Sequence, residues 1–88
     1  MLNRTEHPVA WALLMYQLGN AHEHLGDLIK QMMEDTEFDE NDYRVHLGHV
    51  FAHLNRAWHQ RGDTHLDVES EELWNERSKF PVDLSPVE

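Results

Sequence analysis

Two stretches decide the fold: residues 8–35, PVAWALLMYQLGNAHEHLGDLIKQMMED, and residues 39–61, DENDYRVHLGHVFAHLNRAWHQR. In each stretch, apolar residues recur at alternating spacings of three and four. This is the pattern of a helix that buries one stripe against a partner helix. The two stripes consist of Trp11, Leu14, Leu18, Ala21, Leu25, Leu28 and Met32, and of Tyr43, Leu47, Val50, Leu54 and Ala57. The sequence therefore predicts two long helices, over residues 8–35 and 39–61.

The ends of both helices carry signals of their own. Pro8 stands in the first turn of the first helix, where proline is tolerated. Asp39 can cap the second helix, and Asp42, three residues later, occupies the second position of a capping box. Arg61 followed by Gly62 is typical of a helix end. The chain turns back between the two helices, so we expect an antiparallel hairpin.

One register pairs the two apolar stripes along their whole length. If the chain turns near residues 37–38, the residues that face each other have numbers that sum to 75. The predicted layers are Met32/Tyr43, Leu28/Leu47, Leu25/Val50, Ala21/Leu54 and Leu18/Ala57. Because a single register satisfies every layer, the pattern favours a hairpin over two unrelated helices.

The remaining residues complete a single all-α domain over residues 1–88. A short third helix is predicted over residues 68–79, with Asp67 as its cap, and an extended tail over residues 80–88. A chain of 88 residues buries only roughly 60–65% of its unfolded surface, so it gains much from a partner. We expect the hairpin to complete a four-helix bundle as a homodimer, the commonest symmetry for small bundles.

One flank of the predicted hairpin is apolar and carries glycines seven residues apart. Two glycines on one helical stripe suggest the close approach of another backbone, since each costs about 1 kcal/mol relative to alanine. Either the third helix or a second copy of the chain covers this flank, and we favour the second copy. The predicted interface residues are Ala12, Met15, Gly19, His22, Gly26, Ile29, Phe51, Trp58 and Trp74.

The opposite flank is rich in histidine. Neutral imidazole binds transition metals, and two histidines four residues apart on a helix can chelate one ion. The candidate ligands are His24, Asp42, His46, His49 and His53. In the competing interpretation these histidines cover the edge of the apolar seam and bond to water or glutamine. The absence of cysteine favours that interpretation, so we expect no cofactor, with Zn²⁺ or another divalent transition metal as the alternative.

The charge of the chain limits the classes of partner. Its net charge of −10 argues against direct binding to nucleic acid, which requires clustered Lys and Arg. No stretch approaches the about 20 apolar residues of a membrane span, so we expect no membrane partner and a cytoplasmic location. An acidic surface fits a basic protein partner, and one form of this hypothesis is an inhibitor that mimics nucleic acid.

Nucleophilic catalysis has little support in the sequence. There is no cysteine, and the three serines, Ser70, Ser78 and Ser85, all lie in the C-terminal third. The sequence therefore favours a non-enzymatic helical module that self-associates and presents a charged surface to a protein. A metal-binding bundle is the alternative, and the acidic inhibitor is the third hypothesis.

Overall fold

The computed structural model of the chain describes residues 1–64 and 70–87, and these residues contain three helices and no strand. The helices are α1 (Pro8–Glu34), α2 (Glu40–His59) and α3 (Glu71–Arg77). Helices α1 and α2 pack against each other as an antiparallel pair, and α3 packs on α2. The predictions of an all-α fold and of a helical hairpin are confirmed.

The helix ends follow the local signals closely. The predicted capping box is present: Asp42 N donates to Asp39 Oδ1 over 2.9 Å, and Asp39 N donates to Asp42 Oδ2 over 3.1 Å. Helix α2 ends at His59, slightly before the predicted residue 61, with Gln60 as its C-cap. For α3, Ser70 Oγ accepts the cap hydrogen bond from Leu73 N. The predicted cap Asp67 and the predicted first residue of that helix lie outside the described residues.

The face along which α1 and α2 meet is rotated from the predicted seam. We call the buried and half-buried residues on this face the contact stripe. It consists of Leu14, Gln17, Ala21, His24, Leu28 and Gln31 on α1, with His46, Val50, His53 and Ala57 on α2. Each predicted layer from Leu28/Leu47 to Leu18/Ala57 joins one buried residue to one exposed residue. The prediction placed half of the contact stripe correctly and assigned the rest to a polar flank.

Hydrogen bonds explain the rotation. Apolar residues cover a wide arc of α1, so burial alone permits more than one edge of that arc to face α2. Turning the polar edge inward lets Gln17 of α1 meet His53 and Arg56 of α2. Arg56 Nη1 also donates to Ser78 Oγ over 2.7 Å, which connects the hairpin to the residue after α3. Buried polar groups need such partners, and this orientation supplies them.

The open end of the hairpin is closed by the N-terminal segment. Leu2 is buried and forms an apolar cluster with Ala10, Leu14 and Ala57, against which Trp11 packs. The backbone N–H of Leu2 donates to the carbonyl of Arg61, so the segment is fixed to the end of α2. Residues 1–7 carry no periodic pattern, so this contact could not be predicted from the sequence.

The C-terminal residues lie along the side of α2 that faces away from α1. The Arg56 guanidinium stands 3.8 Å from the centre of the Trp74 ring, and Phe51 and Phe80 stack with ring centres 5.9 Å apart. Trp58 Nε1 donates to Asp83 Oδ1 over 2.9 Å, which attaches the tail to the end of α2. No helix in residues 1–64 and 70–87 is long and apolar enough to cross a membrane.

Candidate functional site

Three imidazole rings meet where α1 and α2 are in contact. The ring of His24 on α1 stacks on His49 with centres 5.4 Å apart, and on His53 with centres 5.2 Å apart. The interplanar angles are 22° and 14°, so the rings are nearly parallel. We call these three residues the histidine cluster. It spans both helices of the hairpin, with His49 and His53 one helical turn apart on α2.

Two polar partners lie beside Nδ1 of His53. His53 Nδ1 lies 2.8 Å from Gln17 Oε1, and Arg56 Nε donates to the same oxygen over 3.5 Å. Arg56 Nη2 lies 3.0 Å from Nδ1, which brings a positive charge close to the ring. An amide oxygen only accepts and a guanidinium nitrogen only donates, so the two contacts favour opposite tautomers of His53.

The surroundings of His53 favour its neutral form. Burial lowers the pKa of His53 below the ordinary value of 6.5, and the positive charge of Arg56 lowers this pKa further. His24 and His49 act in the same direction, because protonation of neighbouring rings would place like charges together. The lowered pKa of His53 therefore favours a neutral ring for this member of the cluster at neutral pH.

The remaining predicted metal ligands lie apart from the histidine cluster. His46 stacks on Phe38 with ring centres 6.2 Å apart, and the Asp42 carboxylate accepts the capping hydrogen bond from Asp39 N. Within the part of the chain that the structure describes, no group of three or more His, Asp or Glu side chains stands ready to hold a metal ion. Three of the five predicted ligands are brought together, and the metal site itself stays a prediction.

Solvent reaches the histidine cluster from the side of α3. An open hollow of about 560 Å³ lies beside α2 and is bordered by His49, His53, Arg56, Trp74 and Ser78. Arg56 had no predicted role, although it contacts His53 and donates to Ser78 Oγ. Arg56 follows His53 by three residues and His49 by seven, so helical spacing alone could have placed it beside them.

A second candidate site is the apolar surface that the hairpin leaves uncovered. On α1 it follows positions 15, 18, 22, 25, 29 and 32, each one residue after a member of the contact stripe. All nine members of this outer stripe are exposed: Met15, Leu18, His22, Leu25, Ile29 and Met32 on α1, with Leu47, Phe51 and Leu54 on α2. Leu25 is 42% exposed and Leu54 is 49% exposed, which leaves large apolar areas in water.

The two parts of the outer stripe lie on the same side of the hairpin. In an antiparallel pair, corresponding flanks of the two helices adjoin, so the stripe of α1 continues into that of α2. The charged residues of α1 follow a different stripe, with spacings of four, three and four: Glu23, Asp27, Lys30 and Glu34. No member of the outer stripe is Asp, Glu, Lys or Arg, although the chain contains 17 acidic residues.

The predicted interface residues divide between the outer stripe and other places. Met15, His22, Ile29 and Phe51 belong to the outer stripe, and Ala12 is also exposed. At Gly19 and Gly26, an added Cβ would meet no described atom within 4 Å, so the chain itself makes no close backbone approach there.

The two tryptophans of the predicted interface, Trp58 and Trp74, contact arginine side chains of their own chain. Trp74 packs under Arg56, and the Trp58 ring lies 3.9 Å from the Arg61 guanidinium. The C-terminal residues therefore contact α2 from outside, and Phe80 touches the outer stripe at Phe51.

Comparison of the chain with protein-family models, with curated proteins and with solved structures finds no match.

Proposed function

We propose that the chain is a self-associating helical interaction module, in which two copies join through their outer stripes as a four-helix bundle. The observation that carries the proposal is the uncharged, exposed row of Leu18, Leu25 and Met32 beside Leu47 and Leu54. Monomeric proteins rarely leave a continuous apolar surface of this kind in water. A second copy is its natural occupant, because two helical hairpins bury such faces against each other in a bundle.

The size of the outer stripe suits the centre of a dimer interface. From Met15 to Met32 it covers 17 helical steps on α1, or about 26 Å, and from Leu47 to Leu54 it covers seven steps on α2, or about 10 Å. With each helix about 10 Å wide, the flat face measures about 360 Å². Each partner of a standard interface buries about 800 Å², so the outer stripe would form the apolar centre of the interface and exposed neighbours its rim.

The incomplete core of the single chain supports the same proposal. Among the described residues, no large side chain is fully buried, and the apolar cluster at the open end includes two alanines. Hydrophobic stabilisation scales with the apolar area removed from water, at about 25 cal/mol per Å². Association of two outer stripes would add the buried apolar area that the hairpin lacks.

The dimer would present its carboxylates to a protein partner. Glu34, Asp35, Glu37 and Glu40 are all exposed around the turn between α1 and α2, far from the open end of the hairpin. Such a cluster complements a basic protein surface, because opposite potentials accelerate association and suppress wrong partners. The proposed function is therefore non-enzymatic: self-association builds the scaffold, and the acidic turn contacts the partner.

Self-association is tested by light scattering behind a sizing column, with two matched variants. The wild-type protein is expected at twice its chain mass of 10.4 kDa at micromolar concentration. Leu54→Asp should raise the dimer dissociation constant by at least about 100-fold, because each copy would bury an unpaired carboxylate. Val45→Asp is the control, since Val45 is an exposed apolar residue of the same helix outside the outer stripe.

A wild-type protein that stays at the monomer mass would refute the proposal. So would a Leu54→Asp protein that dimerises as tightly as Val45→Asp does. The acidic turn is tested on the same dimer. Proteins that bind the wild type should be lost from a Glu34→Gln/Glu37→Gln variant and retained by Val45→Asp.

A further inference from the structure

We propose that Phe80 is an anchor of the interface between two copies of the chain, held beside the outer stripe by hydrogen bonds on both sides of it in the sequence. The inference rests on the proposed self-association and names a part of its surface that the two long helices do not supply. Phe80 follows α3 and stacks on Phe51 of the outer stripe, with ring centres 5.9 Å apart. Its ring therefore extends the apolar surface beyond the hairpin.

The Phe80 ring enlarges the outer stripe and does not cover it. The two rings are inclined by only 21°, and nearly parallel rings at this separation are offset from each other. Phe51 is 44% exposed and Phe80 is 56% exposed, so both keep an open face. Leu47 and Leu54 lie one helical turn on either side of Phe51 and are exposed as well. These four side chains form one continuous apolar surface.

Hydrogen bonds fix the chain just before Phe80. Asn55 Nδ2 donates to the carbonyl of Ser78 over 3.1 Å, and Arg56 Nη1 donates to Ser78 Oγ over 2.7 Å. Both donors belong to buried residues of α2, so water competes little for these bonds. Pro81, directly after Phe80, is buried, and its ring restricts the backbone at this point.

A second attachment lies three residues after Phe80. Asp83 Oδ1 accepts a hydrogen bond from Trp58 Nε1 over 2.9 Å, and Asp83 Oδ2 accepts one from Arg61 Nη2 over 3.2 Å. The bond from Trp58 lowers the pKa of Asp83, and the positive charge of Arg61 lowers this pKa as well, so the carboxylate is charged at neutral pH. Because Phe80 is held from both sides, it loses little freedom when a partner covers it, which reduces the ordering cost of association.

A second copy of the chain is the occupant that this surface fits. The outer stripe alone measures about 360 Å², whereas each partner of a standard interface buries about 800 Å². A phenylalanine side chain buries about 150–250 Å², and more than half of Phe80 is still exposed, so it supplies about 100 Å² of the missing area. In a two-fold interface both copies contribute the same residues, so each dimer contains two such anchors.

The test measures the dimer dissociation constant of the full-length protein by sedimentation equilibrium across a dilution series. Phe80→Ala should raise this constant at least about tenfold, because the dimer loses two aromatic anchors. Asp83→Ala should raise the constant by less, since the anchor remains but is held on one side only. Val87→Ala is the matched control, because Val87 is an exposed apolar residue beyond Asp83 and should leave the constant unchanged.

A double variant separates positioning from direct contact. In the Phe80→Ala background, Asp83→Ala should have no further effect, because Asp83 acts through Phe80. A further loss there would overturn the positioning role of Asp83. Circular dichroism checks that each variant folds.

The outcomes distinguish this inference from the proposed function. A wild-type dimer that Phe80→Ala leaves unchanged or tightens would overturn the anchor and leave self-association standing. An equal loss in Phe80→Ala and Val87→Ala would do the same. A wild-type protein that stays monomeric would refute self-association, and the anchor with it.

Discussion

The two long sides of the hairpin reverse the usual arrangement of polar and apolar residues. The side on which α1 meets α2 contains Gln17, His24 and His53, while the neighbouring side exposes Leu18 and Leu25. This arrangement is stable only under two conditions. The polar groups between the helices must be hydrogen-bonded, and the exposed apolar side chains must be buried against another surface. Gln17 and His53 meet the first condition within the chain, since both contact each other and Arg56. The need to bury the exposed apolar side chains is the reason for proposing a second copy of the chain.

The difference between the two sides also separates two kinds of stability. Contacts of the contact stripe are made within one chain, so their contribution does not depend on protein concentration. Contacts of the outer stripe would form between chains, so their contribution grows with concentration by mass action. Substitutions on the two sides should therefore be distinguishable by dilution alone.

The largest effect is expected from a pair of leucine substitutions, one on each side. Leu28→Ala should lower the free energy of unfolding by about 2–5 kcal/mol at any concentration, because Leu28 is 3% exposed and its removal leaves a cavity. Leu25→Ala should lower the melting temperature only at concentrations where the wild type is dimeric. Thermal unfolding across a hundredfold dilution series measures both. A concentration-independent loss in Leu25→Ala would break the distinction between the two sides.

A somewhat smaller effect is expected at the centre of the polar network. Arg56→Ala should cost about 2–3 kcal/mol, since a hydrogen bond to a charged group contributes about 1.5–3 kcal/mol and Arg56 is buried. The substitution also removes the stacking on Trp74 and the bond to Ser78. Urea unfolding measures the change. Arg44→Ala, at an exposed position of the same helix, is the control and should stay within about 0.5 kcal/mol of wild type.

A gain of up to about 1 kcal/mol is expected at the edge of the outer stripe. Gly26→Ala should stabilise the single hairpin by this amount, because alanine favours the helix and the added Cβ meets no described atom within 4 Å. The measurement is urea unfolding in the Leu54→Asp background, which isolates the single chain. A loss of stability there would mean that the chain itself already packs closely on Gly26.

The smallest effect is expected from pH, and it reports on the polar side. The pKa of His53 is lowered below 6.5 in the folded chain by burial first and then by Arg56, with His24 and His49 adding to the effect. Above pH 6.5 this residue is neutral in both states and costs nothing. As pH falls through 6.5, the unfolded chain binds the proton first, so stability decreases until the folded pKa is passed.

Urea unfolding of metal-free protein at pH 7.5 and at pH 5.5 measures this loss. The His53→Gln protein is the control and should lose less stability between the two values. Equal losses in the two proteins would show that His53 does not carry the dependence.

Much of the local structure could be predicted from the sequence. The three-and-four spacing of apolar residues, Pro8, and the pair Asp39 and Asp42 together predicted both long helices and the capping box between them. These features depend on residues within one or two turns of each other, so local physics is sufficient. The N-terminal Leu2 was missed because a single buried leucine makes no pattern.

The candidate sites could be predicted only in part. The sequence brought His24, His49 and His53 into one predicted group, since helical spacing and an antiparallel turn suffice for that. The predicted group also included Asp42 and His46. In the structure, the Asp42 carboxylate takes part in the cap of α2 and the His46 ring stacks on Phe38. A helix cap or a ring contact uses the same side chains that a metal site would use, and residue spacing does not show which of these contacts forms.

The sequence by itself determined that the chain forms a helical hairpin with an apolar arc too wide for one contact. Only the tertiary structure decided which edge of that arc turns inward. The contact stripe and the outer stripe of α1 differ by one residue, so a rotation of about 100° about the helix axis exchanges them. Partners distant in sequence make the choice: Gln17 bonds to His53, and Arg56 bonds to Ser78. The spacing of apolar residues shows how wide the apolar face of a helix is. Only the long-range hydrogen bonds determine which edge of that face turns toward the partner helix.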